Sequence, residues 1–172
     1  MTVDLELFRQ RKDEFFGSDP TSPLTPEQQT AFTGLRYYPE NPALRFEVAI
    51  EPFAERVEVQ LQTNSGEARP FIRYGRFHIE VEGQPVDLTV YAPPGGLGSL
   101  FVPFTDATTG DETYGAGRYL DLTPVSGGVF MADFNLAYNP YCAYNDRWTC
   151  PVPPPENRLS VPIRAGEMTF SK

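Results

Sequence analysis

The chain has 172 residues and a formal net charge of −9 at pH 7. An acidic surface repels phosphate backbones and anionic lipids, so the charge argues against nucleic-acid and membrane partners. No apolar run approaches the ~20 residues that a membrane span requires, and no basic-then-apolar signal pattern begins the sequence. We therefore expect a cytoplasmic protein.

The composition predicts a mainly β protein. Its 14 glycines, 18 prolines and 13% aromatic residues favour strands joined by many turns. The length fits one domain, residues 1–172, with a sizeable core. We expect an antiparallel barrel-like or sandwich domain with two short N-terminal helices. A helical N-terminal segment (1–34) packs on a β core (43–172), which carries a long loop at 135–158.

The first predicted helix spans residues 3–16. Thr2 is its expected N-cap and Gly17 its expected C-cap. Its apolar positions recur at helical spacing and indicate one buried stripe. That stripe comprises Leu5, Phe8 and Phe15.

The second predicted helix begins at Thr25, which forms a capping box with Gln28. Pro26 suits the first helical position, where a missing N–H costs nothing. Gly34 is its expected end.

Between residues 43 and 92 the hydrophobic pattern changes to strict alternation. Alternation predicts an antiparallel meander with one solvated face. His78 falls on that face, so an exposed histidine is favoured over a catalytic or metal-binding one. The predicted strands lie near residues 44–50, 57–62, 68–74, 76–81 and 86–91.

The stretch from Phe104 to Leu159 combines charged and amide side chains with glycines, prolines and aromatics. Residues 106–110 predict a turn. Gly115 and Gly117 indicate a close approach of the backbone to either a ligand or another strand. Their spacing is not that of a phosphate-binding loop, because the Lys-Ser/Thr pair is missing.

Arg118 shares the predicted strand face of Leu120 and Leu122, so its charge must find an anionic partner. A structural arginine–carboxylate network is favoured over an arginine that holds a ligand carboxylate or phosphate. Two converging carboxylates could instead supply an acid and a base. The partners expected for Arg118 are Glu112, Asp133 and Glu156, and Asp106 joins them as a candidate for acid–base chemistry.

The long loop holds several aromatic residues and two cysteines. Its aromatics could stack on a ligand ring, although a small core of their own is favoured. Cys142 and Cys150 are expected to lie close together, as a disulfide or as packed thiols, and to bind no zinc, since two thiolates supply only half a zinc site. No metal and no cofactor are expected.

Several motifs carry a resemblance to a known family. They are Thr113–Leu120 (TYGAGRYL), Asp133–Asn135, Tyr138–Pro140, Cys142–Asn145, Cys150–Pro151, Glu156–Leu159 and Ala165–Glu167, together with the N-terminal Arg11–Phe16 and Ser22–Leu24. In these motifs, which cover nearly the whole chain, the sequence resembles a largely bacterial family of domains of unknown function, DUF1684. The resemblance implies a shared fold and a shared site without an assigned activity.

The functional hypothesis is an uncharacterised small β domain that binds a small polar or anionic ligand in a pocket centred on Arg118. The alternatives are a hydrolase or lyase that uses paired carboxylates, and a structural or interaction protein in which the arginine–carboxylate network is purely structural. The expected site residues are Glu112, Tyr114, Arg118, Asp133, Asn135, Tyr144, Glu156 and Asn157.

Overall fold

The computed structural model describes residues 3–95 and 99–171, so the N-cap predicted at Thr2 lies outside the described residues. The prediction of a mainly β fold is confirmed, because the main element is one seven-stranded antiparallel sheet. The strands are β1 (Arg45–Ala49), β2 (Glu51–Gln62), β3 (Ala68–Val81), β4 (Gln84–Ala92), β5 (Leu100–Phe104), β6 (Arg118–Ser126) and β7 (Val129–Asp133). The α-helices are α1 (Leu5–Ser18) and α2 (Pro26–Ala31).

The sheet is barrel-like rather than a sandwich. Strands β2 to β7 follow one another as neighbours, and β1 pairs with β7 at the far edge. The predicted meander is therefore wrong for its first strand, which does not pair with β2. Only Ile50 separates β1 from β2, so the chain passes directly from one edge of the sheet to the other. This connection requires the sheet to curl into a half-barrel.

A bulge helps to bend the sheet in β3, which had been predicted as two strands. The pairing of β3 with β4 shifts between Arg73 and Gly75, and a bulge of this kind increases local curvature. Gly75 also lies against β2, where a Cβ atom would stand 2.5 Å from the carbonyl oxygen of Glu51. A residue without a side chain is therefore needed at this bend.

The two faces of the sheet carry different clusters. The main core fills the inner face and includes Leu88, Val102 and Leu120, together with Ile163 from the C-terminal segment. On the outer face of β5 and β6, the long loop packs as a separate aromatic cluster, which agrees with the small core favoured from the sequence. This outer cluster comprises Tyr119, Cys142 and Cys150, with Tyr114, Tyr138 and Trp148 packed against it.

Helix α1 differs from its prediction at its end and in its buried face. Asp4 is the N-cap, and the helix continues past Gly17 to Ser18. Gly17 is therefore not the C-cap; a Cβ atom there would approach the Phe32 ring to 3.1 Å. Phe16 is buried and packs edge-on against Tyr144, with ring centroids 5.0 Å apart, whereas Phe8 is exposed.

Helix α2 begins as predicted. The Thr25 hydroxyl accepts the N–H of Gln28, and the Gln28 side chain accepts the N–H of Thr25. The helix ends at Ala31 rather than at Gly34. The Gln28 amide also donates to the Tyr144 carbonyl at 2.6 Å, which joins the helix to the long loop.

Gly117 and Gly115 form a matched pair for a test of backbone constraint. Gly117 has φ of +98°, and a Cβ atom there would lie 2.7 Å from the Phe104 carbonyl oxygen and 2.8 Å from Pro153 Cγ, whereas Gly115 has no atom nearer than 3.9 Å. We expect Gly117→Ala to lower the free energy of unfolding by about 2–4 kcal/mol, through strain and steric overlap. Gly115→Ala should change it by less than about 0.5 kcal/mol. Urea unfolding measures both, and equal effects would contradict a packing role specific to Gly117.

Candidate functional site

Arg118 lies at the start of β6 and is fully buried, as predicted. One terminal nitrogen, Nη1, donates to the carbonyls of Ala165 (2.6 Å) and Glu167 (3.2 Å), and Nη2 donates to that of Ile163 (2.8 Å). These three carbonyls belong to alternate residues of the C-terminal segment, and Gly166, between the last two, has φ of +80°. The guanidinium thus supplies donors to carbonyls that the neighbouring residues 36–38, which pair with residues 166–168, leave unbonded.

Asp106 is the anionic partner of Arg118. Its Oδ1 lies 3.5 Å from Nη2, and its Oδ2 accepts the N–H of Ile163 at 2.6 Å. The register pairs Phe104 with Arg118, so Asp106 follows β5 next to the first residue of β6. Burial lowers the pKa of Arg118, and the charge of Asp106 opposes that shift. The partners predicted from the sequence are wrong, since Glu112, Asp133 and Glu156 all pair elsewhere.

Glu112 and Glu156 are half-exposed and make the same kind of contact. Each accepts hydrogen bonds from a tyrosine hydroxyl and an arginine, which lower the pKa of both carboxyls, although desolvation opposes the shift at Glu156. Neither carboxylate faces the other across a cavity. The partners are Tyr38 and Arg164 for Glu112, and Tyr91 and Arg73 for Glu156.

Asp133 and Asn135 lie at the end of β7, where they fix a change of chain direction. The Asp133 carboxylate accepts from Arg45 Nε at 3.0 Å and from the N–H of Asn135 at 3.0 Å. The Asn135 amide in turn bonds both the N–H and the carbonyl of Asn41. Asp133 therefore ties the end of β7 to the first residue of β1, and Asn135 ties it to the segment before β1.

Asn157 is fully buried between β4 and β5. Its amide oxygen accepts the N–H of Thr89 at 2.8 Å, and its NH₂ group donates to the carbonyls of Thr89 and Pro103, both at 2.9 Å. The paired stretch of these two strands is limited to Tyr91 and Phe101. The Asn157 side chain therefore extends the ladder where the backbones diverge.

Tyr144 and Lys12 meet at the buried carboxylate of Glu167. The Tyr144 hydroxyl donates to Oε1 at 2.7 Å, and Lys12 Nζ donates to Oε2 at 2.8 Å. Burial, followed by the charge of Glu167, raises the pKa of Tyr144. This contact links α1, the long loop and the C-terminal segment. Tyr114, the last predicted site residue, contacts Cys142 Sγ through its hydroxyl at 3.5 Å.

The predicted residues therefore form several separate networks, and most of their polar atoms are bonded within the protein. Of the eight, Asp133 alone lines one of the four described cavities, a space of about 240 Å³ beside β6 and β7. Their role in ligand binding remains a prediction. Among residues 3–95 and 99–171, no cluster of three or more His, Cys, Asp or Glu side chains could hold a metal ion.

A larger cavity lies along α1. We call it the α1 groove; its volume is about 640 Å³. The groove was not predicted from the sequence, because Phe8 was expected to lie in the buried stripe of the helix. The sequence signal for the groove was the group of apolar residues Val3, Leu7 and Phe8, which are exposed in the structure. The groove is lined by Val3, Asp4, Leu7, Phe8, Arg11, Lys12, Phe15, Phe16, Asp121, Tyr138 and Tyr141.

The α1 groove exposes apolar surface. Within the described chain, four of the six large hydrophobic side chains that are exposed line it, each 37–44% accessible. Monomeric proteins seldom expose such residues together unless something binds there. The four are Val3, Leu7, Phe8 and Tyr141.

The charged residues of the α1 groove differ in what they contact. Lys12 is bound to Glu167 and lies over the Tyr138 ring, with Nζ 5.2 Å from its centroid. Asp121 accepts the Tyr138 hydroxyl at 3.0 Å; desolvation by the groove walls raises the pKa of this solvent-accessible carboxyl. Arg11 is exposed and makes no ion pair or side-chain hydrogen bond with any described residue. Arg11 is therefore a cation without an anionic partner among the described residues.

Comparisons with known proteins agree with this fold. The family described as "Protein of unknown function (DUF1684)" matches residues 30–168. The chain belongs to the DUF1684 family. It is similar to an uncharacterised protein from gene locus rrnAC0354 of Haloarcula marismortui, solved by solution NMR, with 36% identity and a TM-score of 0.73 over 96% of this chain and 92% of that one. No curated protein matches the chain. Among all the residues that the structure describes, no helix is long and apolar enough to cross a membrane.

The single histidine is exposed, in line with its predicted position on the solvated face. His78 lies opposite Asp87 in the β3–β4 register, its Nδ1 contacts that carboxylate, and its Nε2 lies 3.2 Å from Glu51. The hydrogen bond to Asp87 is the main cause that raises the pKa of His78.

We expect an NMR titration of the His78 ring to give a pKa above the ordinary ~6.5 of histidine, and Asp87→Asn to lower it. Because the raised value belongs to the folded state, the pair stabilises the protein below pH ~6.5, and this contribution is lost as pH rises through the folded pKa. A His78 pKa that Asp87→Asn leaves unchanged would contradict the assignment.

Replacement of Arg118 tests whether its role is structural. Both Arg118→Met and Arg118→Ala leave Asp106 buried without its partner and three carbonyls without a donor, so we expect a loss of about 3–5 kcal/mol in the free energy of unfolding. Met should be the milder change because it retains more packing. Arg164→Met, at an exposed pair, is the control and should cost less than about 1 kcal/mol. Urea unfolding in which Arg118→Met resembled the control would contradict the structural role.

Proposed function

We propose that the protein binds a small amphipathic anion, a molecule with an apolar body and one negatively charged group, in the α1 groove. The observation that carries this proposal is the coincidence of exposed apolar side chains with an unpaired arginine in one concavity. A volume of about 640 Å³ lies within the ~300–1,000 Å³ of small-molecule sites. The apolar wall would supply affinity, and Arg11 would select the charge.

The charge of the ligand follows from which groups are still free to bind it. Lys12 already neutralises Glu167, Asp4 caps α1 by accepting the N–H of Leu7, and Asp121 accepts the Tyr138 hydroxyl, although both aspartates keep their negative charge. Arg11 is left to interact with a ligand, and a guanidinium matches a carboxylate, sulfonate or phosphate with two parallel hydrogen bonds. An uncharged ligand would leave Arg11 without a role.

The Arg118-centred pocket expected from the sequence is less well supported. An anion there would compete with Asp106 and three backbone carbonyls for a guanidinium that is fully buried. The carboxylate-based enzyme is also less favoured, because each of the four carboxylates considered for it is paired with a different arginine. Small-ligand binding is therefore proposed at the α1 groove instead.

The probes for this site are 1-anilinonaphthalene-8-sulfonate, a fluorescent aromatic anion, and decanoate as its competitor. We expect saturable binding of the fluorescent anion and its displacement by decanoate, with little displacement by decyltrimethylammonium, which has a similar chain and the opposite charge. Arg11→Gln should weaken both anions about fivefold to tenfold, because it removes a charged hydrogen-bond donor. Leu7→Asn should weaken them through lost apolar contact.

Two controls separate the α1 groove from the remaining surface. Arg56→Gln and Val57→Asn change an exposed arginine and an exposed aliphatic residue on β2, outside the groove. They should leave both affinities within a factor of two of the wild type. Equal binding by the groove variants and the wild type, or equal displacement by the cationic amphiphile, would contradict the proposal.

A further inference from the structure

The two cysteines occupy a position that the proposed binding function does not use. Both are buried in the outer cluster, with 4% exposure for Cys142 and 9% for Cys150, and no disulfide joins them. The backbone N–H of Cys142 donates to Cys150 Sγ at 3.4 Å, and the two side chains are also hydrogen-bonded to each other. The two thiols are therefore adjacent.

The chain on either side of this pair is anchored. The N–H of Cys150 donates to Asn64 Oδ1 at 2.7 Å, and the carbonyl of Cys150 accepts the N–H of Asn64 at 3.1 Å. Cys142 lies in a short 3₁₀ helix, Tyr141–Ala143, which begins after Pro140. Both backbones are thus held with the two thiols adjacent, which brings the sulfurs together for a bond.

From this geometry we infer that Cys142 and Cys150 are a reversible dithiol–disulfide pair, a redox modification site whose oxidant is a small disulfide such as oxidised glutathione. The more exposed Cys150 attacks one glutathione sulfur as the thiolate, forms a mixed disulfide and releases one glutathione. Cys142 then attacks the Cys150 sulfur and displaces the second glutathione. The two protein thiols lose two electrons and two protons, which two glutathione thiols receive.

The thiols are not fast nucleophiles. The hydrogen bond that the Cys150 thiol donates to the Cys142 side chain, together with burial, raises the pKa of Cys150, so only a small fraction is thiolate at neutral pH. Oxidation should therefore be slow at neutral pH and faster as pH rises. A pair of this kind responds to a sustained change in the redox state of its surroundings rather than turning over as a catalyst.

The pair is also connected to the α1 groove. Tyr141, the residue before Cys142, lines the groove and packs edge-on against Trp148 at 5.2 Å between ring centroids. A disulfide would hold this wall in place, so the Tyr141 side chain would lose less conformational freedom when a ligand binds. This coupling rests on the proposed binding function, whereas formation of the disulfide does not.

The test begins with the reduced wild-type protein, equilibrated in glutathione buffers of increasing oxidised fraction. We expect intact mass to fall by two hydrogens, both thiols to become resistant to alkylation under denaturing conditions, and dithiothreitol to reverse both changes. Closing a loop of this length should raise the melting temperature by about 5–10 °C. Cys142→Ser should instead retain a glutathione adduct on Cys150, since no second thiol resolves it, whereas Cys150→Ser, which lacks the attacking thiol, should form much less adduct.

Thiols that stay open to alkylation in the most oxidising buffer, or a wild-type protein that keeps glutathione adducts, would overturn the redox pair. The coupling is tested separately by the affinity for 1-anilinonaphthalene-8-sulfonate. Oxidised protein should bind it about twofold to fivefold more tightly than reduced protein. If reduced and oxidised protein bind the probe with the same affinity, the coupling alone is overturned. If neither state binds the probe, the result counts against the proposed function and leaves the disulfide result intact.

Discussion

The structure depends on one buried ion pair beneath the end of the chain. Residues 163–167 cover the inner face, and the carbonyls of Ile163, Ala165 and Glu167 accept no backbone N–H from the described residues. Without another donor they would be buried unbonded, at about 1–3 kcal/mol each. Arg118 supplies donors to three of them, and Asp106 neutralises its charge while accepting the N–H of Ile163. The two side chains act as a unit, because loss of either leaves the other charged and buried. The main core is closed on this side by the segment that they hold.

Other buried polar side chains also form hydrogen bonds with backbone groups. Asn157 carries one donor group and one acceptor like a peptide unit, and it completes the ladder where β4 and β5 diverge. Asn135 does the same between β7 and the segment before β1. A half-barrel with irregular segments across its openings needs many such groups. Polar residues set among glycines and aromatics are therefore required by this fold even where no ligand binds.

The distance in sequence between contacting residues explains which predictions were confirmed. Alternation predicted the strands, and the Thr25–Gln28 capping box predicted the start of α2, because both patterns reflect contacts close in sequence. The burial of Arg118 followed from its strand face. Its partner did not follow, since Asp106 reaches it only through the register of β5 on β6. The apolar residues of α1 were a sequence signal for the helix side of the α1 groove, but its opposite wall was not predictable for the same reason, because Tyr138 and Tyr141 reach α1 only through the fold.

Arg118 and Arg11 show why the choice of binding site has to be made in the structure. Arg118 had the stronger sequence signal, an arginine on an apolar strand face, yet its bonds are nearly all used in holding the fold. Arg11 had the weaker signal, a basic residue on a helix, and it borders exposed apolar surface with its charge unused. Its neighbour Lys12 is equally basic in the sequence, but Glu167 neutralises it. A ligand gains free energy only from groups that the protein does not already satisfy, and on that criterion the α1 groove is the stronger site.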